Sequence, residues 1–566
     1  MKHSAAGNRH PGVVIATILL VAGVSSLPAC SSSRGSSSLD PDVAADAIED
    51  AALDVDAPDG SGEVAPDVDV DVADTSDDET GDAPDAKDDT DGSGDVDLDV
   101  DPDVEVDDST ADTASDAAED TDTGPPPLYD LALIRDESTL DCTFTNKRTV
   151  VRNLRSFDVW NVSYISYESI DGALVPIRMR GFAAKPSASD GPIPGVVNVH
   201  GLGGMATEST ATGPAALLDT FVIAATGPGG GDSEDNTSEG RPSGYDSNYR
   251  IFDTVTDPRG SWLWAHAFNA MRALTCLATR PEVDDARLGM TGYSGGGIAT
   301  LISAAVDDRL VAAVPLSGTG GWVEGAAPTN SWFHGLLTPA GLDTSSAEWD
   351  ALVASIDPVA VLGTAKAPIF LVNGSTDEFF PLTAHAATLR AIGDSVNWRT
   401  AIAANYDHGC YSVTGGEAAE DIEARAVLRA EGAMRAWFHH HFGTDGAYAY
   451  IPGRPNATVQ NVGGWLGVGV EADPGGPDFE IDTVRIWASA DNAVTFHSAE
   501  IDVNGAGMGG RVLELPYSPN LVWFVDVEYR EDAIIGAERF SLSTVPSFPD
   551  GHVPSVRAIA DMSCLP

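Results

Sequence analysis

Residues 287–306 constrain the fold more than any other stretch. They read Arg-Leu-Gly-Met-Thr-Gly-Tyr-Ser-Gly-Gly-Gly-Ile-Ala-Thr-Leu-Ile-Ser-Ala-Ala-Val. A short apolar run leads into Gly292-Tyr293-Ser294-Gly295-Gly296, and a helix-compatible run of small and apolar residues follows. The order is strand, tight turn, helix, with a serine at the turn. Gly-x-Ser-x-Gly needs its glycines because a sharp turn forces the serine into a strained backbone region and leaves no room for flanking side chains. The hydroxyl then stands exposed at the edge of the sheet. The helix N-terminus behind it offers backbone N–H groups to a developing oxyanion. Ser294 is therefore the candidate nucleophile; the bland alternative is a glycine-rich turn with an ordinary serine.

A serine at its own pKa is a poor nucleophile and needs a base, which in turn needs an orienting acid. Buried strands are expected at 193–199, 221–225, 310–316, 369–373 and 396–404, with helices over 261–278, 382–392 and 418–441 between or after them. Such alternation implies a parallel sheet with helices on both faces. The strand at 369–373 runs into Gly374-Ser375-Thr376-Asp377-Glu378, and the one at 396–404 into Asn405-Tyr406-Asp407-His408-Gly409. An acid just past a buried strand sits at the same sheet edge as the serine. Asp377 is the expected acid, with Glu378 as the alternative, and His408 is the expected base. Val199-His200-Gly201-Leu202-Gly203-Gly204 ends another buried strand in a glycine-rich loop. The oxyanion donors are expected to be the N–H groups of Gly295 and Leu202, with Gly203 or Gly204 as alternatives to Leu202. His200 is read as shaping that loop.

Residues from about 150 to 443 resemble an α/β-hydrolase, with elements in that fold's order. Within it the chain is similar to acetyl xylan esterases and dienelactone hydrolase-like enzymes. The segments Asp307-Asp308-Arg309-Leu310-Val311-Ala312-Ala313-Val314-Pro315 and Asp377-Glu378-Phe379-Phe380 resemble PhoPQ-activated pathogenicity-related proteins, although the elbow departs from their Gly-x-Ser-Lys-Arg-Gly pattern. The resemblance implies a serine hydrolase of carboxylic esters working without a cofactor. A peptidase of the same fold and a catalytically idle binding protein are the competing readings. Tyr293, Trp322 and Trp332 are candidate substrate contacts. Trp322 and Trp332 belong to residues 318–365, a place where this fold often carries a lid, and residues 229–249 are a second candidate specificity loop.

The net charge of -56 is concentrated in residues 31–124, which hold 34 Asp and Glu against Arg34 and Lys87. That segment has almost no aromatic residue, so it is expected to be a disordered, self-repelling tether. Such acidity argues against nucleic acid as a partner. Its Asp-x-Asp runs invite a calcium reading, but Lys87 and Leu98 occupy EF-hand positions that require acids. Ahead of it, a basic start and the apolar run 13–24 lead to Leu27-Pro28-Ala29-Cys30, which resembles a bacterial lipobox. The resemblance implies cleavage before Cys30, a lipid on that cysteine, and a cell-envelope location, with Ser31 pointing to the outer membrane or cell surface. In an exported protein the other cysteines, Cys142, Cys276, Cys410 and Cys564, suggest two disulfides with three possible pairings. His439-His440-His441 falls at a helix end, where consecutive side chains diverge by about 100° and cannot easily share a metal. No phosphate loop or dinucleotide fingerprint is present, and neither a metal nor a cofactor is expected.

After Gly443 the pattern changes to alternating strands at 464–470, 482–488, 493–496 and 521–529, expected to form a small β-sandwich. Residues 523–529 resemble the terminal β module of the PhoPQ-related group, expected to pack on the hydrolase. The expected layout is thus a lipoprotein signal peptide over 1–29, an Asp-rich linker over 30–127, the catalytic domain over 128–445 and a β-sandwich-like domain over 446–566. The partners expected are an ester substrate, small or polymeric, and a membrane reached through the lipid.

Overall fold

The structure, a computed structural model, describes residues 128–189, 191–242, 257–328, 331, 333, 343–408, 417–531 and 539–555. The expected signal peptide with Cys30, the Asp-rich segment, Trp332, Cys410 and Cys564 lie outside the described residues.

Nine strands form one sheet in the order β1-β2-β3-β5-β4-β6-β7-β8-β9. They are β1 (Thr143–Arg152), β2 (Arg155–Ile170), β3 (Ala173–Pro186), β4 (Ile193–Val199), β5 (Phe221–Ala225), β6 (Val283–Tyr293), β7 (Leu310–Leu316), β8 (Ile369–Gly374) and β9 (Trp398–Ala403). The first three pair antiparallel, as does β3 with β5. From β5 to β9 every pairing is parallel. β2 and β3 join through Asp171-Gly172, both at positive φ, the two-residue turn whose twist matches the strands.

The parallel strands are apolar on both faces because both faces are covered. Val197, Ile223, Met290 and Leu371 pack into one core with helices Trp262–Ala278 and Gly295–Val306. Their neighbours Val196, Val222, Val314 and Phe370 pack into the other, with helices Glu208–Leu218 and Ala419–Phe442. The chain leaves β4 to one side for β5 and returns to the other for β6. That reversal makes the carboxyl ends of β4 and β6 the topological switch point, where open α/β sheets bind ligands. A Cys142–Cys276 disulfide ties the residue ahead of β1 to helix Trp262–Ala278, one of the three sequence-compatible arrangements.

Beyond Gly443 lie two antiparallel sheets, β10-β11-β14 and β13-β12-β15-β16. Their strands are β10 (Asn456–Val462), β11 (Trp465–Glu471), β12 (Phe479–Ser489), β13 (His497–Glu500), β14 (Met508–Pro516), β15 (Val522–Glu531) and β16 (Arg539–Ser543). The strand expected at 493–496 is a turn instead. Asn492 and Ala493 both have positive φ, and side chains of Ser489 and Asp491 accept from the N–H groups of Ala493 and Thr495; the strand starts only at His497.

These sheets are continuous with the hydrolase core. Leu466, Val484, Val527 and Phe540 share one apolar cluster with Trp437 and Phe438 of helix Ala419–Phe442. Gly432 lets that helix approach β16 closely, since a Cβ there would lie 2.6 Å from the Arg539 carbonyl oxygen. Arg429, fully buried on the same helix, pairs with Asp526 and Glu528 of β15.

Candidate active site

Ser294 follows β6 with φ 59° and ψ −120° and stands at the N-cap position of helix Gly295–Val306. A non-glycine residue there bears on the order of 1–3 kcal/mol of backbone strain. The flanking glycines are a matter of space. A Cβ on Gly292 would lie 2.5 Å from the Gly296 oxygen, and one on Gly296 would lie 2.0 Å from the Val199 oxygen. The elbow is therefore pressed against the end of β4, next to the loop that follows it.

The imidazole of His408 bridges the other two expected residues. Its Nε2 lies 2.8 Å from Ser294 Oγ and its Nδ1 lies 2.9 Å from Asp377 Oδ2. The Asp377 carboxylate is completely buried, and its other oxygen accepts from the N–H groups of Phe379 and Phe380 at 2.9 and 2.8 Å. A carboxylate so held is an acceptor only, so Nδ1 carries the proton and Nε2 presents its lone pair to Ser294. The loops carrying acid and base are bonded together: Ser375 N–H donates to the Ala403 oxygen and Thr376 N–H to the Tyr406 oxygen.

Glu378, the alternative acid, does not reach the imidazole. Its Oε2 accepts the backbone N–H of His408 at 3.2 Å. Burial, reinforced by the charges of Asp377 and Asp407, pushes its carboxyl up to about 9, so Glu378 is a neutral acid at pH 7. The folded pKa lies above the unfolded one, so its contribution to stability is complete below the ordinary glutamate range near 4.3 and is lost as pH rises toward 9. Glu378→Gln, of the same shape but without a titration, should therefore gain stability relative to the natural chain between pH 6 and pH 9, by about 3 °C or more in Tm. Parallel Tm profiles for the two proteins over that range would refute this.

The loop after β4 brings the Leu202 N–H to the elbow. A Cβ on Gly295 would lie 3.2 Å from that nitrogen, and one on Gly201 would lie 3.4 Å from Ser294 Oγ. His200 points away from the serine. Its Nε2 accepts the Gly227 N–H at 2.7 Å, so its Nδ1 is the donor to the Gly201 oxygen at 2.6 Å. His266, stacked on Trp262, lies with Nε2 3.0 Å from the His200 oxygen. Burial pulls both imidazoles down, to about 4 for His200 and about 3 for His266, so both are neutral and serve as hydrogen-bonding wedges. The sequence singles out His200 but carries no signal for Gly227 or His266, which come from distant segments.

Among the described residues, three rings surround the His408 imidazole: Phe379 at 4.3 Å, Tyr293 at 5.2 Å and Phe380 at 5.5 Å between centroids. Tyr293 is half-buried. Trp322 is fully buried beside Phe333, and Trp349 is buried as well; all three belong to the core that holds helices Trp262–Ala278 and Gly295–Val306, so the structure places the candidate substrate contact Trp322 in that core. In the histidine run, His439 Nδ1 pairs with Thr444 Oγ1, His440 Nδ1 pairs with the Tyr448 oxygen and His441 packs edge-on against Trp437. Among the described residues no group of three or more His, Cys, Asp or Glu side chains is arranged to hold a metal.

The model of the acetyl xylan esterase (AXE1) family matches residues 138–317, a span that contains the β4 loop and the serine elbow. With the sheet order and the elbow, this decides the assignment. The chain is an α/β-hydrolase. It is a serine hydrolase of carboxylic esters. Comparison with curated proteins gives no match. Similar solved structures include the acetyl xylan esterase from Paenibacillus sp. R4, at 17% identity over 49% of this hydrolase and 86% of that chain, with a TM-score of 0.40. Acetyl Xylan Esterase 1 from Thermoanaerobacterium sp. JW/SL YS485 gives 16% identity, 49% and 86% coverage, and a TM-score of 0.39. A putative dienelactone hydrolase from Klebsiella pneumoniae subsp. pneumoniae MGH 78578 gives 17% identity, 49% and 98% coverage, and a TM-score of 0.30. The hydrolase assignment rests on the sheet order, the elbow and the family match, not on these superpositions.

Proposed function

We propose that this hydrolase cleaves short-chain carboxylic esters, acetyl esters foremost, with Ser294 as nucleophile, His408 as general base and Asp377 as orienting acid. The observation that carries the reading is the pair of hydrogen bonds centred on His408, at 2.8 and 2.9 Å. His408 Nε2 takes the hydroxyl proton as Ser294 Oγ attacks the acyl carbon. The oxyanion is received by the N–H groups of Gly295 and Leu202, neither of which is hydrogen-bonded within the protein among the described residues. The imidazolium returns its proton to the departing alcohol. Water, deprotonated by His408, then cleaves the acyl-enzyme and frees the acid and Ser294. The preference for acetyl esters is taken from the matched family. Labelling of the full chain with a fluorophosphonate, followed by peptide mapping, should place the adduct on Ser294. An adduct elsewhere, or none, sinks the proposal.

We also propose, on the lipobox-like residues ending in Cys30, that the hydrolase is exported and lipid-anchored, acting at the cell envelope. The support is Leu27-Pro28-Ala29-Cys30 behind an apolar run and ahead of an Asp-rich stretch. Mass spectrometry of the mature N-terminus decides it: an unmodified Cys30 would overturn the anchor.

A further inference from the structure

We propose that Asn405 is a positioning residue through which the C-terminal sheets hold the His408 loop in working geometry; the inference rests on the Ser294–His408–Asp377 reading above. Asn405 lies three residues before His408, fully buried, with φ 59°. Asparagine is among the few side chains that visit this left-handed region readily. Its amide forms a reciprocal clamp on one backbone unit of the C-terminal region. Nδ2 donates to the Phe496 carbonyl at 2.8 Å, and Oδ1 accepts the Phe496 N–H at 2.8 Å. Nδ2 also donates to Glu417 Oε2 at 2.6 Å, ahead of helix Ala419–Phe442.

Phe496 is itself fixed. It follows the turn after β12, where Asp491 Oδ1 accepts from Ser489 Oγ at 2.6 Å and from Thr495 N–H at 2.9 Å. Its ring packs 5.6 Å from Phe524 of β15, in a small core shared with Trp487 and, from the hydrolase, Leu382, Ile402 and Ala404. Toward the acid loop, the Asn405 N–H donates to Ser375 Oγ at 2.8 Å; Arg425, whose guanidinium lies 4.4 Å over the Trp487 ring of β12, donates from Nη1 to the Ala404 oxygen at 2.8 Å. The base-bearing loop is thus framed by the acid loop on one side and by the C-terminal sheets on the other. A displacement of Asn405 passes down three residues to the imidazole, whose bonds to serine and acid span under 3 Å each. Positional errors near 1 Å are enough to lose about a hundredfold in rate. If the sheets served packing alone, loosening the clamp would change stability and leave turnover intact.

The test uses the full chain and a short-chain aryl ester. Asn405→Gly keeps the left-handed backbone and deletes the clamp. It should lower kcat about tenfold or more with KM within about twofold, and should slow fluorophosphonate labelling of Ser294 by the same factor as kcat. Asn405→Asp keeps the acceptor for Phe496 N–H but sets an oxygen against the Phe496 carbonyl and the Glu417 carboxylate, and should lose at least as much kcat as Asn405→Gly. A folded Asn405→Gly protein with kcat within about twofold of the natural chain overturns the inference. If that variant does not fold, Asp491→Ala decides: it loosens the turn that carries Phe496 and should give the same kcat loss at constant KM, while an unchanged kcat overturns the inference. Ser294→Ala separates the two levels. Turnover surviving it removes the underlying reading, whereas its inactivity alongside fully active clamp variants removes this inference alone.

Discussion

Ser294→Ala should lower kcat on a short-chain aryl ester by about 10⁴-fold or more, because the remaining groups can only bind and polarise the ester. The change deletes one oxygen whose bond in the structure is to His408 Nε2. Alanine keeps the same positive-φ position, φ 59°, so the backbone strain stays and the melting temperature should move little. A Tm within a few degrees of the natural chain, together with lost turnover, is the expected pair of results. Turnover within tenfold of the natural rate would show that another group attacks the ester.

Asp377→Asn should cost about as much, on the order of 10⁴ in kcat, for a different reason. The Asp377 carboxylate accepts three hydrogens: two from backbone N–H groups on Oδ1 and one from His408 Nδ1 on Oδ2. An asparagine that keeps the backbone bonds through its oxygen turns its NH₂ toward Nδ1. Nδ1 must then be the acceptor, and the proton moves to Nε2, where the imidazole can no longer take one from serine. The loss should lie in kcat with KM little changed, measured in steady state at pH 7. Glu378→Gln, one residue on, should keep most of the activity, because Glu378 touches the His408 backbone and not its ring. Equal losses at both positions would mean that the carboxylates act as a unit and that the separation of their roles is wrong.

The residues proposed to carry the reaction stand out in the sequence because each comes just past a buried strand whose pattern is local: Ser294 after β6, Asp377 after β8 and His408 after β9. The strand and helix order was legible for the same reason, and 221–225, 310–316 and 382–392 coincide with the elements seen. Edge strands were not. β1 and β10 are largely exposed on both faces, so neither a continuous apolar run nor clean alternation marks them. β14 begins Met508-Gly509-Gly510 and reads as a turn. The wedge formed by His200, Gly227 and His266 joins three distant segments, and the pairing of Cys142 with Cys276 spans 134 residues. Contacts of that kind are set by the closed sheet and leave no period in the chain. The change of character after Gly443 marks a change of secondary structure, but Trp437, Val484, Val527 and Phe540 lie in one core across it.

That shared core has a consequence in time. A chain is made from its N-terminus, and segments fold as they become available. Ser294 and Asp377 precede Phe496, which is bonded to Asn405 and comes about ninety residues after it. β16, which seats against helix Ala419–Phe442, comes later still. A chain that ends before Phe496 thus carries the proposed nucleophile, Ser294, without the residue that grips Asn405. On the proposed reading, full esterase activity should require the last strands to close over the helix, so a chain cut short before β16 should lack it.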